Sequence, residues 1–301
     1  MAFPVAVIQM FIESGDIEQN RQTVTRMVAA AVSGGARLIV FPEACITDIN
    51  RSSAGLAEPI PGPTTDLVAR IAGGAVIALP LLQKDENNRI YSACALISKD
   101  RVLGVARKTH LYRDESGHDT FRDSELMAAG NELGMFELGE ARVGVLLGFD
   151  AEFPEAFRAL SLRGADLILV VLNRVEPDHG FLSAMALRNR VPLLVSNRMG
   201  FKKIYPAVPE FSASSIALLQ DKEGSFLVRC KGSSAIIDAD GRTVAQPCQE
   251  PLSNPDAPAG MAIPLAHFQE EKVLTASFRI EELRVRRMTS PYIAERRVDL
   301  Y

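Results

Sequence analysis

Glu43 follows Phe41-Pro42 at the end of one apolar run, and Lys108 closes another. Gly148 stands where a third such run breaks and restarts as a helix through Pro154 and Glu155. A carboxylate at a strand's C-terminal end is a candidate site residue, since open α/β sheets build their sites there. An ammonium in the same setting suits charge that develops on a substrate oxygen. A sharp strand-to-helix turn is where a nucleophile elbow sits; here the elbow carries no side chain. Plainer readings stand beside these: a glutamate after proline caps a loop, and a strand-end lysine is solvated. Cys45 is either a reactive thiol near Glu43 or a small buried hydrophobe beside a strand end, the commoner use. His110 and His118 resemble an acid-base pair, although a lone histidine in a polar loop is more often a surface residue.

The elements that must position these residues are legible from periodicity. Val5 to Met10 reads as a strand, and residues 18 to 33 place Val24, Met27, Val28, Ala31 and Val32 on one helical face that ends at Gly34-Gly35. Arg37 to Val40 is the next strand and leads into Glu43. A turn at Pro59 to Pro63 precedes a helix from Thr64 to about Ala72. Strands are expected over Ala75 to Leu82, Ile90 to Ile97 and Val102 to Ala106, with a hairpin turn at Asp85 to Asn88. The last strand delivers Lys108, and the polar stretch Arg113 to Arg122 reads as a loop over the pocket. Val143 to Leu147 forms a central strand before the elbow, Pro154 to Arg163 an amphipathic helix, and Leu167 to Leu172 a strand. This alternation implies a layered α/β domain.

Residues 142 to 155, RVGVLLGFDAEFPE, closely resemble the nucleophile motif of the nitrilase superfamily of carbon-nitrogen hydrolases. Gly144, Val145, Asp150, Phe153, Pro154 and Glu155 match, while the cysteine position holds Gly148. Four further motifs follow the family's order. They are GA-x-LIVFPE around Glu43, RKTHLY around Lys108, the segment carrying Asn189, Asn197, Arg198 and Gly200, and the hairpin from Gly232 through Asp238 to Gly241. The C-terminal RRVDLY resembles the family's usual end. Phe121 to Glu125, followed by Gly130, is similar to the omega-amidase branch. The resemblance implies an α/β fold, a four-layer αββα sandwich, paired into a homodimer or higher homo-oligomer with helix 154 to 163 at the interface. It also implies Glu43 as general base and Lys108 as oxyanion stabiliser. The family's second glutamate falls on Asp123, or on Glu125 in an alternative register. Phe149, Glu125, Asn173 and Arg188 are the expected substrate contacts, and the ligand is a small amide, nitrile or carboxylate. No cofactor is expected.

An intact site of this family attacks with a cysteine thiolate, so Gly148 removes the attacking atom. Three accounts are open: a laboratory replacement, a natural homologue that has lost the cysteine, or altered acid-base chemistry by Glu43, Lys108 and Asp123. In the last, the glycine leaves room for a water in the thiol's place. Asp123 for glutamate withdraws the carboxylate by one methylene, and about 1 Å of displacement can cost on the order of a hundredfold in rate. Met185 and Arg188 replace an arginine and an acid of the family pattern. Arg188 is either a donor fork for a carboxylate or a partner of Glu152 or Glu155. Residues 201 to 231, with Lys202, Lys203 and Tyr205, form a longer connection than usual.

Composition bounds the rest. With 301 residues, 47% hydrophobic and 23% charged, the chain suits one globular unit with a large core. No linker divides it, so a single domain over 1 to 301 is expected. A net charge of -4 leaves no basic footprint for nucleic acid. No apolar run reaches the roughly 18 residues of a membrane span, and the start lacks a secretory pattern; the expectation is cytoplasmic. Cys45, Cys94, Cys230 and Cys248 form no C-x-x-C pair and no metal-spaced cluster with histidine.

Overall fold

The computed structural model describes residues 2–50, 52–112, 123–204, 226–247 and 270–300. His118, Phe121, Arg122, Tyr205, Cys248 and the side chain of Lys203 lie outside what it describes. In chain order the elements are β1 (Ala2–Phe11), α1 (Ile17–Ser33), β2 (Leu38–Val40), α2 (Pro63–Ile71), β3 (Val76–Lys84), β4 (Ile90–Ser98) and β5 (Arg101–Arg107). There follow α3 (Asp123–Leu126), β6 (Gly134–Leu138), β7 (Ala141–Leu147), α4 (Pro154–Leu162), β8 (Leu167–Leu172), α5 (His179–Asn189) and β9 (Leu193–Ile204). The chain then runs through β10 (Phe226–Lys231), β11 (Ala235–Ile237), β12 (Thr243–Ala245), β13 (Lys272–Arg279), α6 (Ile280–Met288) and α7 (Pro291–Ala294).

The strands run in the order β5-β4-β3-β2-β1-β9-β8-β7-β6, with β13 beside β1, β10 and β11 beside β9, and β12 beside β11. β1 and β9 pair through only Met10↔Arg198 and Phe11↔Met199. The sheet folds over at this short seam, so its two halves face each other. Alternation along each strand fills the layers. In β1, Val5 and Val7 point between the two halves, whereas Ala6, Ile8 and Met10 point outward beneath Val24, Met27 and Val28 of α1. In β8, Leu167, Leu169 and Val171 join the inter-sheet core, while Ile168, Val170 and Leu172 pack beneath Phe157 and Leu160 of α4 and Ala186 of α5. Helix, sheet, sheet, helix is thus the layer order, as expected from the sequence.

Both ends of α1 are set locally. The Asp16 side chain accepts from Gln19 N at 3.0 Å, capping a free N–H of the first turn, and Gly35 turns the chain out at φ 79°. The stretch 201 to 231, expected to be a connection, begins and ends in strand, since β10 pairs antiparallel with the end of β9, and two further strands were not anticipated either. β6 completes a hairpin with β7, and β13 runs antiparallel to β1 from Ala2↔Arg279 to Gln9↔Lys272. No described helix is long and apolar enough to cross a membrane.

Candidate active site

Glu43 lies just beyond β2, at the end of the sandwich where both half-sheets present their strand termini. Its backbone N–H donates to the Leu172 carbonyl at 3.1 Å, and its own carbonyl accepts from Asn173 Nδ2 at 3.2 Å. These bonds stitch the end of β2 to the end of β8, in the opposite half. Ala44, the next residue, is held at φ 50°, a left-handed conformation of the kind that accumulates at functional sites.

The Glu43 carboxylate is buried with Lys108 and Asp123. Glu43 Oε1 accepts from the Ser92 hydroxyl at 2.8 Å and lies 3.3 Å from Lys108 Nζ. Lys108 Nζ donates to Asp123 Oδ2 at 2.5 Å. Burial works against the Lys108 ammonium, but the carboxylates of Glu43 and Asp123 outweigh it and hold the lysine above its ordinary pKa. Two buried acids therefore share one fixed cation, an arrangement that can take a proton, stabilise an oxyanion or bind a polar ligand. Between the two acids near residue 123, it is Asp123 that the first turn of α3 points at Lys108 and at the backbone N–H of Tyr112, 3.1 Å away. Glu125 is exposed.

Gly148, buried after β7, has φ 51°. The expected open space there is absent. A Cβ built on Gly148 would overlap Glu43 Oε2 and approach Glu43 Cδ to 2.9 Å. The carboxylate itself fills the volume that a side chain at 148 would take, which corrects the expectation of room for a water in the thiol's place. Glycine fits here twice, for its backbone and for its missing carbon.

Asp150 fixes the elbow to the lysine strand. Its carboxylate accepts from the backbone N–H of Thr109 at 3.0 Å and of His110 at 2.7 Å, from the Thr109 hydroxyl at 2.7 Å, and from Leu147 N at 3.2 Å. Residues 109 and 110 are thus tied to 147 and 150. Asp150 matches the family motif in sequence without a role; its signal is an acid two residues past the elbow. Ser92 was also missed, although a hydroxyl inside the apolar run of β4 was visible.

The remaining candidates separate. Phe149 is half-buried at the elbow, edge-on to Tyr112 at 5.3 Å and to Phe153 at 5.2 Å. His110 stacks on Phe153 at 4.0 Å and meets Asp150 Oδ1 at 2.9 Å. Asn173 is bonded within the protein. Both of its amide hydrogens are engaged, by the Glu43 carbonyl and by Asp48 Oδ1 at 3.0 Å, and its oxygen accepts from Lys202 at 3.2 Å. Arg188 is not brought to this cluster. On α5, Leu182, Ala186 and Asn189 face inward, which turns Arg188 out to lie over the Tyr292 ring at 4.9 Å. Glu152, one of its expected partners, pairs with Arg174 at 2.7 Å. Cys45 is fully buried and donates to the Pro80 carbonyl at 3.2 Å; burial pushes its thiol well up, so it is an inert hydrophobe. Beneath the site, Asp48 and Arg198 form a buried pair at 2.6 Å. Among the described residues no group of His, Cys, Asp and Glu is placed to hold a metal ion.

The fold and the motifs have counterparts in known proteins. An omega-amidase of Xenopus tropicalis is 26% identical over 309 residues, 99% of this chain and 96% of that protein. A nitrilase of Pyrococcus abyssi is 30% identical over 206 residues, 65% of this chain and 75% of that one. Among solved structures, XC1258 from Xanthomonas campestris, a CN-hydrolase superfamily protein, superposes with a TM-score of 0.73 at 19% identity over 98% of this chain and 97% of that chain. The carbon-nitrogen hydrolase family model matches residues 4–253. With five-sixths of its length covered by that match, the chain belongs to the carbon-nitrogen hydrolase family, the nitrilase superfamily.

Proposed function

We propose that this protein is an amidase-like member of its family that binds a small amide, nitrile or carboxylate and does not hydrolyse amides at an appreciable rate. The observation that carries this reading is Gly148 at the elbow, with the Glu43 carboxylate lying in the space of the missing side chain. Removing the nucleophile of a catalytic triad costs about a millionfold in kcat in a serine protease, and glycine replaces none of a thiol's chemistry. What persists is a buried ammonium between two carboxylates, with Lys108 the donor for a ligand oxygen and Glu43 and Asp123 the acceptors for an amide N–H. In this reading residues 1 to 301 form a single unit, cytoplasmic, paired through α4 into a homodimer.

The departures at 123 and 188 fit a natural protein released from thiol chemistry better than a single laboratory replacement, which would leave both unexplained. Calorimetric titration with acetamide and with glutarate tests the binding. Heat of binding is expected for at least one of them and is expected to fall at least tenfold in affinity (about 1.4 kcal/mol) in Lys108→Met. No binding to either, or binding that ignores Lys108→Met, would reject this site.

A further inference from the structure

The position of Glu43 has a chemical consequence beyond the loss of the thiol. Ser92 and Lys108 both engage Oε1, while Oε2 is the carboxylate atom nearest the place of the absent Cβ of residue 148. One oxygen is thus anchored by a hydroxyl and an ammonium, and the other faces the position that a nucleophile on the elbow would command. The carboxylate is buried and held in orientation, with the Lys108 ammonium 3.3 Å from Oε1.

The geometry points to Glu43 as a carboxylate nucleophile toward short amides or acids that carry a leaving group on the carbon next to the carbonyl. This rests on the amide-binding reading above, which supplies the orientation of the substrate. In the first step a lone pair of Oε2 attacks the saturated carbon, forming a C–O bond as the carbon-halogen bond breaks and its electron pair departs as halide; the product is a glutamyl ester. Water then adds to the ester carbonyl at Glu43 Cδ, the hydroxy-amide leaves with the former Oε2 as its hydroxyl oxygen, and the carboxylate is regenerated with an oxygen from water as one proton passes to the product and one to solvent. The net change is replacement of halide by hydroxide. Attack of the same oxygen on an unactivated amide carbonyl leads nowhere, because the tetrahedral adduct would expel the carboxylate more readily than the amine. Binding of amides without turnover and covalent capture of α-halo amides are therefore two results of one placement.

The probe is bromoacetamide, with the adduct located by peptide mass spectrometry and acetamide binding followed in parallel by calorimetry. An ester on Glu43 is expected in the unmodified protein, absent in Glu43→Gln and suppressed by acetamide. In Gly148→Ala the added Cβ displaces the carboxylate while leaving it in the chain. Labelling of Glu43 is then expected to slow on the order of a hundredfold, as for a displacement of about 1 Å. Should Gly148→Ala not fold, the comparison of the unmodified protein with Glu43→Gln decides alone. Acetamide binding with neither an ester on Glu43 nor formation of hydroxyacetamide would overturn the nucleophile and leave the binding reading standing. Labelling of Glu43 at an equal rate in a folded Gly148→Ala would also overturn it, by removing the role of the placement. Absence of acetamide binding would count against the amide-binding reading, and an ester on Glu43 would still establish the nucleophile.

Discussion

Gly148 combines a left-handed backbone, φ 51°, with a neighbour that excludes a side chain. Gly148→Cys must therefore carry backbone strain of about 1–3 kcal/mol and push the Glu43 carboxylate off its anchors on Ser92 and Lys108. We expect a lower melting temperature and only weak gain of amide hydrolysis, measured as ammonia release; a clear rise in melting temperature would contradict the account. The absence of the thiol was plain from the residues alone, because the flanking motif is intact. The position of Glu43 in the gap was not, since residues 43 and 148 meet only through the packing of opposite half-sheets. The ambiguity between Asp123 and Glu125 had the same origin. Two acids two residues apart near the start of a short helix differ in direction, and direction is fixed by Lys108, just beyond the end of β5.

At the scale of elements, the site depends on two buried acids that join segments distant in sequence. Asp150 binds the end of β5 to the elbow after β7 through four protein donors, three of them backbone N–H groups. Asp150→Ala leaves these donors without their acceptor, at about 1–3 kcal/mol for each that stays buried and unsatisfied. Loss of ligand affinity by at least tenfold (about 1.4 kcal/mol) in calorimetry is the expected result, with thermal stability falling in parallel. Asp48 and Arg198 join the turn after β2 to β9. Burial alone would raise the Asp48 pKa, but Arg198 and Lys202, with hydrogen bonds from Arg198 and Asn173, bring it below its ordinary 3.8. A depressed folded-state pKa contributes stability that is present above the unfolded value and lost as pH falls through the folded one. Denaturation curves should accordingly show a stability loss below pH 3.8 that is missing in Asp48→Asn. That variant should itself be about 3–5 kcal/mol less stable, since Arg198 is left buried and unpaired. An acid limb unchanged in Asp48→Asn would show that other carboxylates set it. The strands and helices flanking these joints were legible because apolar runs and helical faces are local signals. β13 escaped because its partner, β1, lies at the other end of the chain, and its sequence KVLTASFR mixes both polarities without a clean period.

Across the whole molecule, the sandwich brings the ends of β2, β5, β7 and β8 to one place, and it is this convergence that makes a site of Glu43, Lys108, Asp123 and Gly148. The layered architecture could be read from alternating strands and helices together with the five motifs in order, but the narrow β1 to β9 seam about which the sheet folds could not. A run of four strand ends each carrying a plausible residue becomes a site only once the two halves face each other. The family fold is thus kept, with Glu43 and Asp123 each in contact with Lys108, around an elbow that offers no thiol. Ammonia release from short amides, including omega-amides of dicarboxylic acids, by the protein with Gly148 in place tests this most directly. The account predicts release no faster than from Glu43→Gln; robust release that disappears in Glu43→Gln would contradict it.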